Sequence, residues 1–386
     1  MDELTVGVVG AGWMGHVHAR AFGRLTQHWP DVPLRPRVAA VADPVPAAAE
    51  AFARAHGDVA THADWRELLA DASIDAVSVT APNAMHREIG VAVAEAGKHL
   101  WIEKPVGLTA EDAMAVRDAV AAAGVVGVVG FNYRHVPAVA RARRLVAGGD
   151  IGTPTHARVQ LFTDYAAHPG SPLSWRFTVA RGGHGVLGDL ASHGVDLLRF
   201  VLGDVASLTA QTSVSIPRRP VADAHGHYSV LDVEDPSLTF GDVENEDYVV
   251  AILRMRSGAI AVCEADRAAV GEQNSYGLEV HGTRGLVRWD FRRPGELQVS
   301  SGTQYAGQPT STIFSEPGDG EYAAFQPGAG IAMGYDDTKV VEAWNFVRAV
   351  AGEPAETATL DDAVASGRAL DAMVQSRTSG EWVEVP

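Results

Sequence analysis

A glycine-rich turn near the start of the chain constrains the fold more than any other stretch. Residues 5–9 are apolar and mostly β-branched, which is typical of a buried parallel strand. They run into GAGWMG at residues 10–15, a G-x-G-x-x-G motif, and an alanine-rich stretch with a helical pattern follows. Gly10 allows a tight turn, Gly12 lets a pyrophosphate approach the backbone, and Gly15 lets the helix pack on the strand. The motif in this setting predicts a dinucleotide-binding site, with the phosphates at the helix N-terminus.

Asp43 directly follows the next apolar run, residues 38–42. An acidic side chain at the end of the second strand can accept hydrogen bonds from the ribose hydroxyls of the adenosine. Its separation from Gly15 exceeds the usual spacing of about 20 residues, which a proline-rich loop over residues 27–36 explains. Because a proline and not an arginine follows it, the sequence predicts NAD and disfavours NADP. The alternative is that Asp43 caps a helix over residues 47–55.

Two later strand ends carry polar side chains. Residues 75–80 form a predicted strand, and Asn83 in the turn after it suits the N-cap of a helix over residues 84–96. Residues 98–102 form the next predicted strand, and Lys104 follows it. Ligands of open α/β sheets bind beyond the carboxyl ends of the strands, so Lys104 is placed to meet a bound cofactor. An ordinary surface lysine is the alternative.

The strand–helix alternation ends near residue 130, and a different pattern follows. Beyond it the sequence predicts a mainly antiparallel sheet from strands at residues 155–163, 206–214, 247–255, 259–266, 276–281, 285–290 and 297–301. We therefore predict an α/β N-terminal Rossmann domain with a doubly wound parallel sheet over residues 1–130. Residues 131–386 are predicted to form an α+β substrate-binding and oligomerisation domain with a large, mostly antiparallel, open-faced sheet.

The remaining segments are predicted loops and helices. Residues 217–246 and 303–334 are long and polar, with few strand signals. Helices are predicted over residues 110–123, 137–146, 337–351 and 360–375, and the last two can pack back on the first domain. These helices are too few to cover both faces of the second sheet, which predicts a homo-oligomer, a dimer or a tetramer.

A second group of polar residues follows glycines in residues 182–196. Asp189 and His193 are spaced i, i+4, which places them on one face of a helix, and Asp196 can flank the same imidazole. A packed or solvated histidine is the alternative. His184 could join them on zinc, but no H-E-x-x-H or Cys–His spacing accompanies it, so no metal is predicted. His225 and His227 are read as solvated loop histidines.

Composition excludes several classes of function. The chain has 386 residues with 31 basic against 48 acidic side chains and a net charge of -17, which argues against nucleic acid and against anionic membranes as partners. Cys263 is the only cysteine, so a disulfide within the chain is impossible. No secretory signal or membrane span is apparent in the sequence, and we predict a cytoplasmic location.

Several of these stretches together resemble the Gfo/Idh/MocA oxidoreductases over nearly the whole chain. PNAMH at residues 82–86 is similar to the end of the family's T-P-N-x-x-H segment, and Ala81 stands where the family often has threonine. AGKHL at residues 96–100 followed by EKP at residues 103–105 resembles its A-G-K-H-V and E-K-P signature. Residues 185–196 match its G-x-L-x-D-x-x-x-H-x-x-D helix. Residues 131–134 and 171–177 most resemble sugar dehydrogenases of the levoglucosan-dehydrogenase type.

The resemblance implies roles for individual residues. Catalysis would rest on Lys104, Asp189 and His193. The cofactor-binding candidates are Gly10, Gly12, Trp13, Met14, Gly15, Asp43, Thr80, Pro82, Asn83, His86, Glu103, Lys104, Asn132, Trp175 and Arg176. The substrate-binding candidates are Lys104, Tyr133, Tyr165, Arg176, Asp189, His193 and Tyr335, with Asp164 as a further hydrogen-bonding side chain.

The implied activity is NAD-dependent hydride transfer between the nicotinamide and a secondary alcohol of a sugar, an anhydrosugar or a cyclitol. Such oxidation needs a base for the hydroxyl proton and a hydride acceptor. His193 is the favoured base and Lys104 the stabiliser of alkoxide charge, with Lys104 as base the alternative. An NAD-using glycosidase of the same family and a non-catalytic NAD-binding sensor are the alternative functions.

Overall fold

The computed structural model describes residues 2–222 and 229–386, so that His225 and His227 lie outside the described residues. In chain order the described elements are β1 (Asp2–Val9), α1 (Trp13–His28), β2 (Leu34–Ala42), α2 (Pro46–His56), β3 (Ala60–His62), α3 (Trp65–Ala70), β4 (Ala76–Val79), α4 (His86–Glu95), β5 (His99–Ile102), α5 (Ala110–Ala123), β6 (Gly127–Val129), α6 (Pro137–Ala147), β7 (Pro154–Phe162), α7 (Val179–Gly182), α8 (Ser192–Leu202), β8 (Val205–Ser213), β9 (Arg218–Val221), β10 (Thr239–Asp242), β11 (Tyr248–Met255), β12 (Ile260–Asp266), β13 (Ser275–Gly282), β14 (Gly285–Asp290), β15 (Glu296–Ser301), β16 (Ser311–Phe314), α9 (Tyr335–Val350), α10 (Leu360–Ser379) and β17 (Val383–Glu384). They form two compact units, residues 1–136 with 320–364 and residues 137–319 with 365–386.

The first unit is built on a six-stranded parallel sheet with the order β3-β2-β1-β4-β5-β6. This is the order of a doubly wound dinucleotide-binding fold, whose ligands bind where the order reverses, between β1 and β4. Helices cover both faces of the sheet. Leu100 and Ile102 of β5 pack on one side with residues of α4 and α5. Trp101 packs on the other side with α1 and with Phe346 of α9.

The second unit is built on a nine-stranded sheet with the order β16-β15-β14-β13-β7-β12-β11-β8-β17. Every neighbouring pair is antiparallel except β7 with β12, which run parallel. One face of the sheet is buried under α8. A Cβ on Gly194 would lie 2.7 Å from a methyl group of Leu161, so only glycine permits this approach. On the other face Ile252 and Ile260 are exposed. The predicted fold class, a Rossmann domain followed by a large, mostly antiparallel, open-faced sheet, is confirmed.

The predicted loop over residues 27–36 is wrong at its end, because β2 begins at Leu34. Pro36 lies within this strand and pairs with Leu4 of β1. β2 pairs with β3 only from Ala40 onward, so at Pro36 the strand pairs with β1 alone and its other edge has no ladder partner among the described residues. A strand edge of this kind tolerates proline.

Seven further elements of the described residues were not predicted, including the short α7 and β17. β3 and α3 lie in a stretch for which no element was expected, and β9, β10 and β16 lie inside the two predicted loops. β9 has the sequence RRPV and pairs with β10 as an isolated ribbon. Strands this short, polar and interrupted by proline carry no period-two pattern to detect. No helix in the described part of the chain is both long enough and apolar enough to span a bilayer.

Local predictions for three polar residues are also corrected. Asn83 begins a short 3₁₀ turn, and the N-cap of α4 is Met85. The N-cap of α2 is Val45, so Asp43 does not cap that helix. Asp189 lies in a π-helical turn, Leu187–Ala191, and α8 begins only after it, so the i, i+4 spacing to His193 is not that of a continuous α-helix.

Candidate functional site

The glycine-rich turn of the first unit has the shape that a pyrophosphate needs. Gly10 has a φ of 101°, which favours glycine, and its N–H donates to Ala42 O at 2.9 Å. A Cβ on Gly15 would overlap the carbonyl oxygen of Gly10. A Cβ on Gly12 would meet no atom within 4 Å, so the space over this residue is open. The first turn of α1 also carries no acidic residue, which leaves its N–H groups suited to an anion.

Asp43 connects this turn to the end of β2. Its Oδ2 accepts a hydrogen bond from the Ala11 N–H and its Oδ1 from the Val45 N–H, both at 2.9 Å. A carboxylate has about four acceptor positions, so these two bonds orient it and leave acceptors for ribose hydroxyls. Thr80 completes the turn, because its hydroxyl donates to Gly10 O at 2.9 Å.

Lys104 extends from the turn after β5, next to a buried histidine. Both ring nitrogens of His86 lie 2.7 Å from carbonyl oxygens, those of Ala81 and Pro105. His86 thereby bridges the segments that follow β4 and β5. Burial lowers its pKa below the ordinary value for histidine. Lys104 is half-buried, and its peptide bond to Pro105 is cis.

Glu103 is fixed by an ion pair that the sequence did not reveal. Its Oε1 accepts hydrogen bonds from His18 Nε2 at 3.0 Å and from Lys339 Nζ. Although burial favours the neutral acid, Lys339 and His18 hold the pKa of Glu103 below its usual range. Burial lowers the pKa of His18 to about 4. The neutral imidazole therefore donates from Nε2 to Glu103 and accepts at Nδ1 from the Ser78 hydroxyl, 2.7 Å away.

Two candidate cofactor residues lie against α9. Asn132 is fully buried, and its Nδ2 donates to Thr338 Oγ1 at 2.9 Å. Its Oδ1 is buried without a hydrogen bond from the described residues, which leaves an acceptor for a ligand amide. Trp13 is 65% exposed and stacks on Tyr335 with ring centroids 5.5 Å apart. Burial raises the pKa of Tyr335 above its usual value, so its hydroxyl stays protonated.

The second unit holds Asp189 in the π-helical turn. Tyr165 Oη donates to Asp189 Oδ2 at 2.5 Å. Burial and the charge of Asp189 raise the pKa of Tyr165 well above its usual value, so it remains a donor. The turn itself is anchored by Glu246, whose carbonyl oxygen accepts the Val186 N–H at 2.9 Å. His193 follows on α8 and is buried.

Arg176 lies in a short turn beside two buried arginines. Its guanidinium is 4.4 Å from the ring centroid of Trp175. The next residue, Phe177, is packed between Arg219 and Arg267, at 4.2 and 4.6 Å. Arg267 donates to Asp247 at 2.8 Å, an ion pair that is fully buried. No motif in the sequence indicated Arg219 or Arg267, because their partners are distant in the sequence.

Neither unit gathers a metal site in residues 2–222 and 229–386, where no three histidine, cysteine, aspartate or glutamate side chains are close enough to hold an ion. His184, considered above as a zinc ligand, lies 3.7 Å from Asp371 and makes no hydrogen bond through its Nε2 to the described residues.

Comparison with known families decides the relationship. A model described as an oxidoreductase family with an NAD-binding Rossmann fold matches residues 4–160, and one described as the GFO/IDH/MocA C-terminal domain matches residues 139–288. The chain belongs to the Gfo/Idh/MocA family. It is therefore an oxidoreductase of an NAD-binding family, and its first unit is the NAD-binding one. The open space over Gly12, the Asp43 carboxylate and the Asn132 acceptor all fit this cofactor.

Relatives within the Gfo/Idh/MocA family act on sugars and cyclitols by name. Levoglucosan dehydrogenase of Pseudarthrobacter phenanthrenivorans is 35% identical over 100% of this chain and 99% of its own length. Inositol 2-dehydrogenase of Rhizobium meliloti is 31% identical over 86% of this chain and 92% of its own. A solved structure of levoglucosan dehydrogenase in complex with NADH and levoglucosan matches with a TM-score of 0.92 and 34% identity, covering 100% of both chains.

Proposed function

We propose that this chain is an NAD-dependent dehydrogenase that transfers a hydride between the nicotinamide and a secondary alcohol of a sugar, an anhydrosugar or a cyclitol. The observation that carries the substrate class is the 35% identity to levoglucosan dehydrogenase along the whole chain. The similarity to an inositol dehydrogenase extends the class to cyclitols. An anhydrosugar is the first candidate, because the similarity to levoglucosan dehydrogenase runs through both units.

Three residues are proposed to carry the reaction. The nicotinamide of bound NAD supplies the hydride acceptor. His193 takes the hydroxyl proton, because an imidazole exchanges protons near neutral pH. The Lys104 ammonium stabilises the developing alkoxide, and Lys104 as the base is the alternative. Asp189 orients the imidazole, and Tyr165 supports this role by donating to Asp189 at 2.5 Å.

The other assignments follow from the same proposal. We assign cofactor binding to residues 1–130 and substrate binding and oligomerisation to residues 131–386, except that residues 131–136 and 320–364 pack with the first unit. In the first range Pro82, Asn83, His86 and Glu103 shape the cofactor site together with the glycine-rich turn. Trp175 and Arg176 are assigned to cofactor binding, and Tyr133, Tyr165, Arg176 and Tyr335 to binding of substrate hydroxyls. We further propose a cytoplasmic homo-oligomer, and light scattering that finds a monomer at micromolar concentration would contradict the oligomer.

A screen of aldoses, anhydrosugars and cyclitols with NAD tests the function, with NADH absorbance as the readout. At least one member of the panel should reduce NAD in the wild type. Lys104→Met and His193→Ala should each lose turnover by about 100-fold or more, the usual scale for such groups, while NADH binding persists. Lys98→Met is the matched control, since Lys98 is a buried lysine that donates to the carbonyl oxygens of Asp71 and Ile74.

Two results would redirect the proposal. Release of a free sugar from a glycoside without net NADH would identify the NAD-using glycosidase. NADH binding with no turnover on the whole panel would favour a sensor. Hydride transfer at near wild-type rate in single turnovers of both Lys104→Met and His193→Ala would show that the catalytic assignment is wrong.

A further inference from the structure

One face of α9 contacts three separate segments of the NAD-binding unit. Tyr335, Thr338, Lys339 and Glu342 are spaced i, i+3, i+4 and i+7, so they share that face. Tyr335 stacks on Trp13 of the glycine-rich turn. Thr338 accepts from Asn132, and Lys339 pairs with Glu103. The helix thus joins the cofactor turn to the segment that carries Lys104.

Lys339 is the central side chain of this face. It is 0% exposed, and its Nζ pairs with Glu103 and lies 2.8 Å from Glu342 Oε2. Although burial favours the neutral amine, these two carboxylates raise the pKa of Lys339 above its usual value. The side chain therefore keeps its charge inside the protein.

The position of Glu103 is fixed from several directions. His18 donates to the oxygen that Lys339 also contacts, and the His18 ring stacks on Trp101 with centroids 3.7 Å apart. On another side the Glu103 carboxylate lies against Gly130, so closely that a Cβ on Gly130 would overlap it. Glu103 therefore cannot change rotamer without losing its buried partners. Because Lys104 is the next residue, a fixed Glu103 also fixes the backbone from which Lys104 extends.

We propose that Lys339 is a positioning residue for Lys104: by pairing with Glu103 it sets the direction in which the Lys104 side chain leaves β5. This inference rests on the proposed role of Lys104 in catalysis. Stability alone gives no reason for the pair, because replacing a buried ion pair by apolar residues of similar volume is often neutral or stabilising. A pair that holds Lys104 in place has a reason to be ionic, since a charge-assisted hydrogen bond fixes the direction of its partner as well as its distance.

Lys339→Met is the first test, with Lys98→Met as the matched control. The two lysines flank β5, with Lys98 directly before the strand and Lys339 paired with Glu103 directly after it. Both variants remove a buried ammonium, and both should lower the melting temperature. Only Lys339→Met should lower kcat, by about 10- to 100-fold, the scale of a misplacement near 1 Å, with NADH affinity unchanged. Equal kcat in the two variants would overturn the proposal.

A second variant separates positioning from simple loss of stability. Glu103→Gln combined with Lys339→Met removes both charges, so no buried charge is left without a partner. If the two residues act as one unit, the double variant is no slower than the slower single variant and remains well below wild type. If it recovers wild-type kcat along with stability, Lys339 is structural and the proposal fails.

Lysine resonances provide a readout that does not depend on turnover. The chain contains three lysines, Lys98, Lys104 and Lys339, so carbon-13 labelling of lysine gives three resolvable side chains. The Lys104 signals should move in Lys339→Met and stay in place in Lys98→Met. Unmoved Lys104 signals in both variants would refute positioning. If the wild type oxidised no substrate of the panel, the proposed function would fail. The spectrum would still test whether the Lys339–Glu103 pair positions Lys104.

Discussion

Replacing Gly12 by alanine should weaken NAD binding without disturbing the fold. Gly12 is the N-cap of α1, with φ −75° and ψ −172°, which any residue adopts. A Cβ there would meet no protein atom within 4 Å. The cost to the protein is therefore only the difference between glycine and alanine at an N-cap, at most about 1 kcal/mol. Any larger effect must come from the ligand that approaches this residue.

The loss of affinity follows from the space that the methyl group would occupy. Inserting a methyl group into a close contact typically costs about 1–3 kcal/mol, which is about a 5- to 150-fold rise in Kd. Titration of nicotinamide fluorescence measures this directly. Thermal shift gives an independent value, because a ligand at 100 times its Kd stabilises the folded state by about 2.7 kcal/mol. Without NADH, Gly12→Ala should melt close to the wild type. At the same NADH concentration it should keep only about 0.3–1.8 kcal/mol of this ligand stabilisation.

Two other glycines of the same segment supply the controls. Gly23 lies within α1, and a Cβ there also meets nothing within 4 Å, so Gly23→Ala should bind NADH normally and gain up to about 1 kcal/mol of stability. Gly15→Ala should unfold the turn, because the new Cβ overlaps the carbonyl oxygen of Gly10. NADH affinity in Gly12→Ala equal to that in Gly23→Ala would refute the reasoning.

Three further perturbations have expected outcomes. Asp43 should repel a 2′-phosphate, so the wild type prefers NADH over NADPH by about tenfold or more, and Asp43→Ser should narrow that preference in the same titration. Tyr165→Phe removes the donor that lies 2.5 Å from Asp189, and a hydrogen bond to a charged group is worth about 1.5–3 kcal/mol. The acidic limb of the kcat/KM pH profile should therefore move to higher pH. A limb that stays in place would contradict the coupling between Tyr165 and Asp189. Burial lowers the pKa of His18 from 6.5 to about 4, so below pH 6.5 the folded protein binds fewer protons than the unfolded chain. The free energy of unfolding should therefore fall by about 3 kcal/mol as the pH drops from 6.5 to about 4. Urea unfolding of His18→Gln should show a weaker dependence of this free energy on pH.

Local patterns were sufficient to predict the class of both sheets. Residues 5–9 and 98–102 are apolar runs between glycines, polar turns and helices, and they form β1 and β5 as parallel strands. The alternation in β11 predicted a sheet with one buried face. The missed α3 did carry a signal, since Asp64 accepts the Arg66 N–H as its N-cap. β9 carried none, because its pairing with β10 does not follow from its own sequence.

The candidate site likewise has residues that the sequence indicates and contacts that it does not. Lys104, Asp189 and His193 stand in motifs that a sequence displays directly. Their supporting contacts are made at long range: Lys339 is 236 residues from Glu103, and no local pattern joins two such positions. The π-helical turn around Asp189 was equally hidden, because it depends on anchoring by Glu246 of a distant segment.

The first unit is assembled from residues 1–136 and 320–364, and this has a consequence for synthesis on the ribosome. The nascent chain delivers α9 only after residues 137–319, which make up most of the second unit. Until then Phe22 and Trp101 lack the apolar residues of α9 that cover them, and Glu103 lacks its buried cation. We therefore expect the parallel sheet to remain incompletely packed through most of translation. A chain released early would carry the glycine-rich motif intact and still bind the nucleotide poorly, which makes cofactor affinity a mark of finished chains.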